Sequence, residues 1–118
     1  MNKKILVCDD DEGILTMVST VLGLYNFDVI PEINSVNAMQ QVVSEKPDAV
    51  LVDLWMPLVS GEDVIRQIKE NPDTQGIPVI LFSASSEGKE IAAQLNVNGF
   101  VSKPFDLDTL VNTINGVL

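Results

Sequence analysis

The side chains able to do chemistry in this chain are the acidic run Asp9-Asp10-Asp11-Glu12, the single Asp53, Ser83 and Lys103. Carboxylates brought together repel and raise one another's pKa unless a cation intervenes. Asp9 and Asp10 therefore suggest a cation site, and Mg²⁺ suits it. Mg²⁺ is a hard ion held by one or two carboxylates plus a carbonyl, and it keeps several waters. The plainer reading of the run is a solvated acidic turn before a helix, where the macrodipole favours negative charge. Asp11 belongs to the first turn of that helix in either case.

Asp53 directly follows the apolar run Ala49-Val50-Leu51-Val52. It is either a turn residue or, with a metal beside it, a nucleophile that accepts a phosphoryl group. Lys103 is an exposed lysine on one reading. On the other, its place between a buried strand and Pro104 holds the stem near a pocket, where the ammonium would neutralise phosphoryl oxygens. The Ser83 hydroxyl would bond such an oxygen, with Ala84 leaving room; otherwise it caps a helix, as Ser85 or Ser86 would equally well. Phe100 reads most simply as a core aromatic.

These residues need elements to bring them together. Five short apolar runs, Ile5–Cys8, Phe27–Ile30, Ala49–Val52, Val79–Phe82 and Phe100–Val101, are mostly continuous and rich in Val, Ile and Leu. Continuous runs of that length mark strands buried on both faces, the habit of a parallel sheet covered by helices. Between them the apolar spacing is helical. Ile14, Leu15, Val18, Val21 and Leu22 mark a helix over about Glu12–Leu24. Val36, Met39, Val42 and Val43 mark a second, capped at Asn34 or Ser35 and stopping before Pro47. Val64, Ile65 and Ile68 mark a third, with Ser60 and Asp63 at its start and Asn71-Pro72 at its end. A fourth, roughly Glu87–Leu95, is weakened by Gly88. The fifth runs from an Asp106 cap through Leu107, Leu110, Val111 and Ile114.

Five β-α units imply an α/β fold with right-handed crossovers and helices on both faces of a parallel sheet. Ligands of such folds bind at the carboxyl ends of the strands. Cys8-Asp9-Asp10, Asp53, Ser83 and Lys103 all stand at predicted strand ends, so one small pocket would collect them.

Composition narrows the function. The chain has 118 residues with seven Lys/Arg against seventeen Asp/Glu, a net charge of −10, and a pI near 4.1. A single domain over residues 1–118 is expected at this length. With no His, imidazole catalysis, haem ligation and His-based zinc sites are excluded. The charge disfavours nucleic acid or an anionic membrane surface as direct partner. The one cysteine, Cys8, forms no internal disulfide and suits a reducing, cytoplasmic setting. No apolar run approaches the roughly 18 residues that span a bilayer, and no signal peptide is recognised at the N-terminus, Met1-Asn2-Lys3-Lys4-Ile5, which starts directly into structure.

Together, these residues resemble the receiver domain of two-component response regulators, the CheY-like superfamily, over essentially the whole chain. The resemblance is carried by Ile5-Leu6-Val7-Cys8-Asp9-Asp10-Asp11 and by Val50-Leu51-Val52-Asp53-Leu54-Trp55-Met56-Pro57 with Ser60-Gly61. It continues in Ile77-Pro78-Val79-Ile80-Leu81-Phe82-Ser83-Ala84 and Gly99-Phe100-Val101-Ser102-Lys103-Pro104-Phe105. It implies a doubly wound, flavodoxin-like sheet in the order 2-1-3-4-5 with five helices. It further implies phosphorelay signal transduction rather than an enzyme, with Asp53 as the phosphoacceptor of a histidine kinase or phosphotransfer protein. Asp10 would be the direct Mg²⁺ ligand, Asp9 one acting largely through water, and the Trp55 backbone carbonyl a further ligand. Lys103 would contact the phosphoryl group, in a loop with a cis Lys103-Pro104 bond. Ser83 and Phe100 would form the switch pair, and a downstream protein would dock on the fourth helix, fifth strand and fifth helix.

Three positions depart from the family's commonest residues. Cys8 stands where Val is frequent, Ser83 where Thr is frequent and Phe100 where Tyr is frequent. Trp55 and Ser85 occupy positions that influence phosphoryl lifetime in the family. Two other functions compete. An aspartyl-nucleophile phosphatase commonly carries a second Asp two residues after the first, where this chain has Trp55, and this chain is too short for a substrate-covering cap. An unphosphorylated interaction module would have no need of Asp9, Asp10, Asp53, Ser83 and Lys103 together. Nucleotide binding finds no glycine-rich loop after the first strand. With the last helix ending at Leu118, a stand-alone or excised receiver is expected.

Overall fold

The computed structural model describes residues 2–118; Met1, with which the N-terminal expectation begins, lies outside the described residues. Five strands form one parallel sheet: β1 (Lys4–Cys8), β2 (Asp28–Glu32), β3 (Ala49–Asp53), β4 (Val79–Ser83) and β5 (Gly99–Ser102). Their order is β2-β1-β3-β4-β5. The helices are α1 (Glu12–Leu24), α2 (Ala38–Glu45), α3 (Gly61–Glu70), α4 (Gly88–Leu95) and α5 (Leu107–Val117). The α/β class and five-stranded parallel sheet expected from the strand and helix pattern hold, as does the strand order that the resemblance implies.

Side-chain alternation along each strand divides the core in two. Leu6, Cys8, Val50, Val52, Val79 and Leu81 face α2, α3 and α4, meeting Val42, Val64, Ile65, Ile68 and Leu95. Ile5, Val7, Leu51, Ile80 and Phe82 face α1 and α5, meeting Leu15, Val18, Leu22, Leu110 and Ile114. Covering both faces is what makes the central strands uninterrupted apolar runs. Truncating one of these fully buried aliphatics, Ile65 or Ile68 for instance, to Ala costs about 2–5 kcal/mol.

Several local expectations need correction. β2 begins at Asp28 and runs to Glu32, not Phe27–Ile30. It carries Pro31 opposite Val7, tolerable because β2 is an edge strand with one side of its backbone unpaired. β2 and β5, at the sheet's edges, are not buried throughout. Val36 and Val43 are exposed: α2 starts only at Ala38, after a 3₁₀ turn over Ser35–Asn37, and buries Ala38 and Val42. Leu107 is likewise exposed at the start of α5. Gly88 does not interrupt α4 but begins it.

The helix starts follow the polar residues before them. Asp11, Ser60 and Asp106 each accept a hydrogen bond from a backbone N–H in the first turn, from Ile14, Asp63 and Thr109 respectively. Each cap is typically worth about 1 kcal/mol, the fully exposed Asp106 excluded from that figure; Asp11 is thus the cap of α1, one place earlier than a first-turn position. Among the described residues no helix is long and apolar enough to cross a membrane.

Candidate functional site

Because all five strands are parallel, their carboxyl ends share one edge, and the polar residues after β1, β3, β4 and β5 converge there. Asp9 is wholly buried and Asp53 nearly so, while Asp10 is exposed. Oxygens of Asp9, Asp10 and Asp53 lie within 4.8 Å of one another. Lys103 reaches across from β5: its Nζ is 2.9 Å from Asp9 Oδ2 and 3.1 Å from Asp53 Oδ1. The same ammonium sits 4.5 Å from the centre of the Phe82 ring, a cation–π contact worth about 0.5–2 kcal/mol. The Lys103-Pro104 bond is cis, and the Lys103 backbone N–H donates to the Ser83 carbonyl.

The electrostatics follow from crowding. Burial, then the neighbouring Asp9 carboxylate, raise the Asp53 pKa from 3.8 to about 6, although Lys103 opposes them. For Lys103, burial favours the neutral amine, but the bonds to Asp9 and Asp53 together prevail and hold its pKa above the ordinary value. Three carboxylates against one ammonium leave two negative charges when all are ionised, the complement of a divalent cation. The donors are hard oxygens and Asp10 faces solvent, so the set fits Mg²⁺.

Around this centre the backbone is closely packed. The Asp9 carboxylate also accepts the Asp11 N–H at 2.9 Å, which fixes the turn into α1. A Cβ on Gly61 would fall 2.1 Å from the Asp53 carbonyl oxygen, so only glycine lets the end of the β3–α3 loop return to the strand it left. Ser83 is fully buried, its Oγ accepting the Ser85 N–H at 2.9 Å. Phe100 is half-buried and packs against the core. A Cβ on Gly88 would lie 2.8 Å from Ser83 Cβ and 3.1 Å from Phe100 Cε1. Sequence reading treated Gly88 as a helix weakness and missed that it makes room for both side chains. Burial, then the acids around it, Glu32 first, push the Cys8 thiol up to about 12, so this cysteine behaves as a small apolar residue. Its Sγ lies 3.5 Å from Met56 Sδ.

Of the two candidate caps, Asn34 and Ser35, the first is the one used, accepting the Val36 N–H at 3.1 Å. Ser35 points inward, and its hydroxyl donates to the Pro57 carbonyl at 2.7 Å. No spacing rule connects residues 35 and 57; the contact exists because β1 alone separates β2 from β3 in the sheet.

Comparison with known proteins agrees with this arrangement. Residues 5–115 match the profile of the response regulator receiver domain. The chain is 32% identical, over 89% of its own length and 44% of the relative's, to the alkaline phosphatase synthesis transcriptional regulatory protein PhoP of Bacillus subtilis. It is 30% identical to protein PilH of Pseudomonas aeruginosa, covering 98% of this chain and 97% of PilH. The chain thus spans about half the length of PhoP and nearly all of PilH. Among solved structures, a putative response regulator from Chloroflexus aurantiacus superposes with a TM-score of 0.94 at 23% identity, over 99% of this chain and 98% of that one. The receiver domain of sensor histidine kinase PA1611 from Pseudomonas aeruginosa, with a magnesium ion coordinated in its active-site cleft, superposes at 0.89 and 21% identity, over 99% and 98%.

Proposed function

The chain belongs to the response regulator receiver family, and from that premise we propose that it is the Mg²⁺-dependent phosphoacceptor switch of a two-component phosphorelay, with Asp53 as the acceptor. The observation that carries the reading is the gathering of Asp9, Asp10 and Asp53 within 4.8 Å, with Lys103 bonded to two of them.

Asp9, Asp10, Asp53 and the Trp55 backbone carbonyl would hold Mg²⁺, with Asp10 the direct carboxylate and Asp9 acting largely through water. When bound, the ion supplies positive charge opposite the oxygens of the transferring group. An Asp53 carboxylate oxygen forms the new P–O bond as the donor's P–N bond breaks, and the departing imidazole takes up a proton. With no His of its own, the chain depends on a partner for the phosphohistidine: a histidine kinase or phosphotransfer protein. Lys103 contributes a fixed ammonium at Asp53, so charge developing on the phosphoryl group meets a countercharge needing little reorganisation.

The switch is a bias between two states. A phosphoryl group on Asp53 offers acceptor oxygens that the Ser83 hydroxyl meets in one state only, which shifts the population toward it. Phe100 turns into the space Ser83 leaves, and the altered surface of α4, β5 and α5 docks a downstream protein. Neither step needs nucleic acid, a membrane or a second substrate, and the receiver acts as a signalling domain rather than a turnover catalyst.

Incubation with Mg²⁺ and acetyl phosphate tests the proposal: intact mass should show one added phosphoryl group on the wild type and none on Asp53→Asn. Equal labelling of the variant would remove Asp53 from its role.

A further inference from the structure

The β3–α3 loop holds Leu58 at a φ of +71° and 85% exposed. A bulky side chain rarely adopts that backbone, and burial of this one does nothing to offset it. The Val59 N–H donates to the Pro57 carbonyl at 2.9 Å, closing a three-residue γ-turn around Leu58, the strained member of the turn families. What holds it is on another loop. Ser35 Oγ donates to the Pro57 carbonyl at 2.7 Å and accepts the Val59 N–H at 3.3 Å. One hydroxyl thus grips both peptide groups that flank the strained residue, and it is 4% exposed.

Ser35 is itself held firmly. The Glu32 carboxylate at the end of β2 accepts the Asn34 N–H at 3.0 Å and the Gln41 side-chain amide at 3.2 Å, and Asn34 caps the turn that carries Ser35. The gripped loop is held besides by Leu54 N–H to the Phe82 carbonyl, Gly61 N–H to the Leu54 carbonyl, Met56 against Cys8, and Val59 packed against the core. Trp55 lies between Leu54 and Met56, two residues before the gripped Pro57-Leu58-Val59 turn.

We propose that Ser35 is a positioning residue for the metal site: its hydroxyl stabilises the strained Pro57-Leu58-Val59 turn and so keeps the segment carrying the Trp55 carbonyl in its metal-competent conformation. This inference rests on the Mg²⁺ site proposed above. Without the clamp the loop relaxes toward conformers with Leu58 at negative φ, and apparent Mg²⁺ affinity falls by the fraction of molecules still competent.

The test is a Mg²⁺ titration followed by the fluorescence of Trp55, the only tryptophan, with Val59 amide exchange measured in the metal-free protein. Ser35→Ala should weaken Mg²⁺ about fivefold and speed Val59 exchange by a similar factor, since about one net hydrogen bond is lost. Leu58→Gly removes the strain, so adding it to Ser35→Ala should bring affinity back to within about twofold of wild type. A merely structural Ser35 would lower the melting temperature and leave affinity untouched, and that result overturns the inference. Failure of Leu58→Gly to rescue overturns it as well. Loss of Mg²⁺ binding in Asp10→Asn alongside normal binding in Ser35→Ala would uphold the site and sink only the clamp. A wild type that binds no Mg²⁺ sinks both.

Discussion

Lys103 Nζ lies 3.1 Å from Asp53 Oδ1, and yet the Asp53 pKa stands near 6 rather than below 3.8. An ammonium at that distance would ordinarily pull a carboxyl down. Burial and Asp9 prevail because Lys103 divides its charge between two acids, at 2.9 Å and 3.1 Å. The metal-free centre is therefore short of positive charge, and this shapes its response to pH, mutation and Mg²⁺.

Asp53 should destabilise the metal-free protein at neutral pH. Between pH 3.8 and about 6 the folded state binds more protons at this group than the unfolded state, so stability falls as pH rises through that window. The cost is complete above about pH 6 and absent below about pH 4. Asp53→Asn should then be more stable than wild type at pH 7, by on the order of 1–3 kcal/mol, and gain little at pH 4. Thermal melts of both proteins without Mg²⁺ at the two pH values decide it. A pH-independent difference would contradict the argument.

Saturating Mg²⁺ should reverse that order at pH 7. A ligand that binds only the folded state stabilises it by about 2.7 kcal/mol at a hundred times its Kd. Wild type should gain this and Asp53→Asn much less, because the variant lacks one of the three clustered carboxylates. Melting curves across a Mg²⁺ series read the effect. Parallel gains in both proteins would move the metal away from Asp53.

Lys103→Met should harm both folding and chemistry. It leaves Asp9 buried without its ammonium, and removing one partner of a buried pair typically costs about 3–5 kcal/mol. It also raises the Asp53 pKa further and should slow labelling by acetyl phosphate about a hundredfold. Mg²⁺ should restore part of the stability by taking over as countercharge. Labelling at the wild-type rate would mean that Lys103 acts only as a structural cation.

Gly61→Ala examines the backbone that supports Asp53. The added Cβ would stand 2.1 Å from the Asp53 carbonyl oxygen and 2.9 Å from Leu54 Cα. Both are backbone atoms with no rotamer to yield, so the loop must move. Urea denaturation should show a loss above about 3 kcal/mol, together with weaker Mg²⁺ binding. A loss under about 1 kcal/mol would show that the loop gives way easily.

Much of this centre was legible because its residues stand at the ends of continuous apolar runs. Once Ala49–Val52 and Val79–Phe82 read as parallel strands, Asp53 and Ser83 had to meet at one edge. What escaped was contact without periodicity. Asn34 and Ser35 were equal candidates for the cap, since both residue types favour it; only the adjacency of the β2 and β3 loops leaves the cap to Asn34 and turns Ser35 toward Pro57. Gly88 looked like a flaw because helix propensity is a local quantity, whereas the reason for Gly there is two neighbours, Ser83 on β4 and Phe100 on β5. Val36 satisfied a helical spacing, but the 3₁₀ turn over Ser35–Asn37 changed the rotation that would have carried it onto the buried face of α2.

Gly88→Ala carries that lesson to the proposed switch. At the start of α4 the methyl group would meet Ser83 Cβ at 2.8 Å, Ser83 Oγ at 3.0 Å and Phe100 Cε1 at 3.1 Å. Alanine is the better helix former by about 1 kcal/mol in a helix interior, so α4 considered alone predicts stabilisation. Overpacking of this kind costs about 1–3 kcal/mol, and the short contact with Ser83 Cβ, which no rotamer change relieves, makes the net effect a loss. Phe100→Ala empties one side of the crowded space, so the double variant should recover at least about 0.5 kcal/mol beyond the sum of the two single changes. Urea denaturation of the four proteins measures the coupling. If the two changes simply add, α4 and Phe100 are energetically independent, and a ring movement at Phe100 would have no route through Gly88 to the surface of α4.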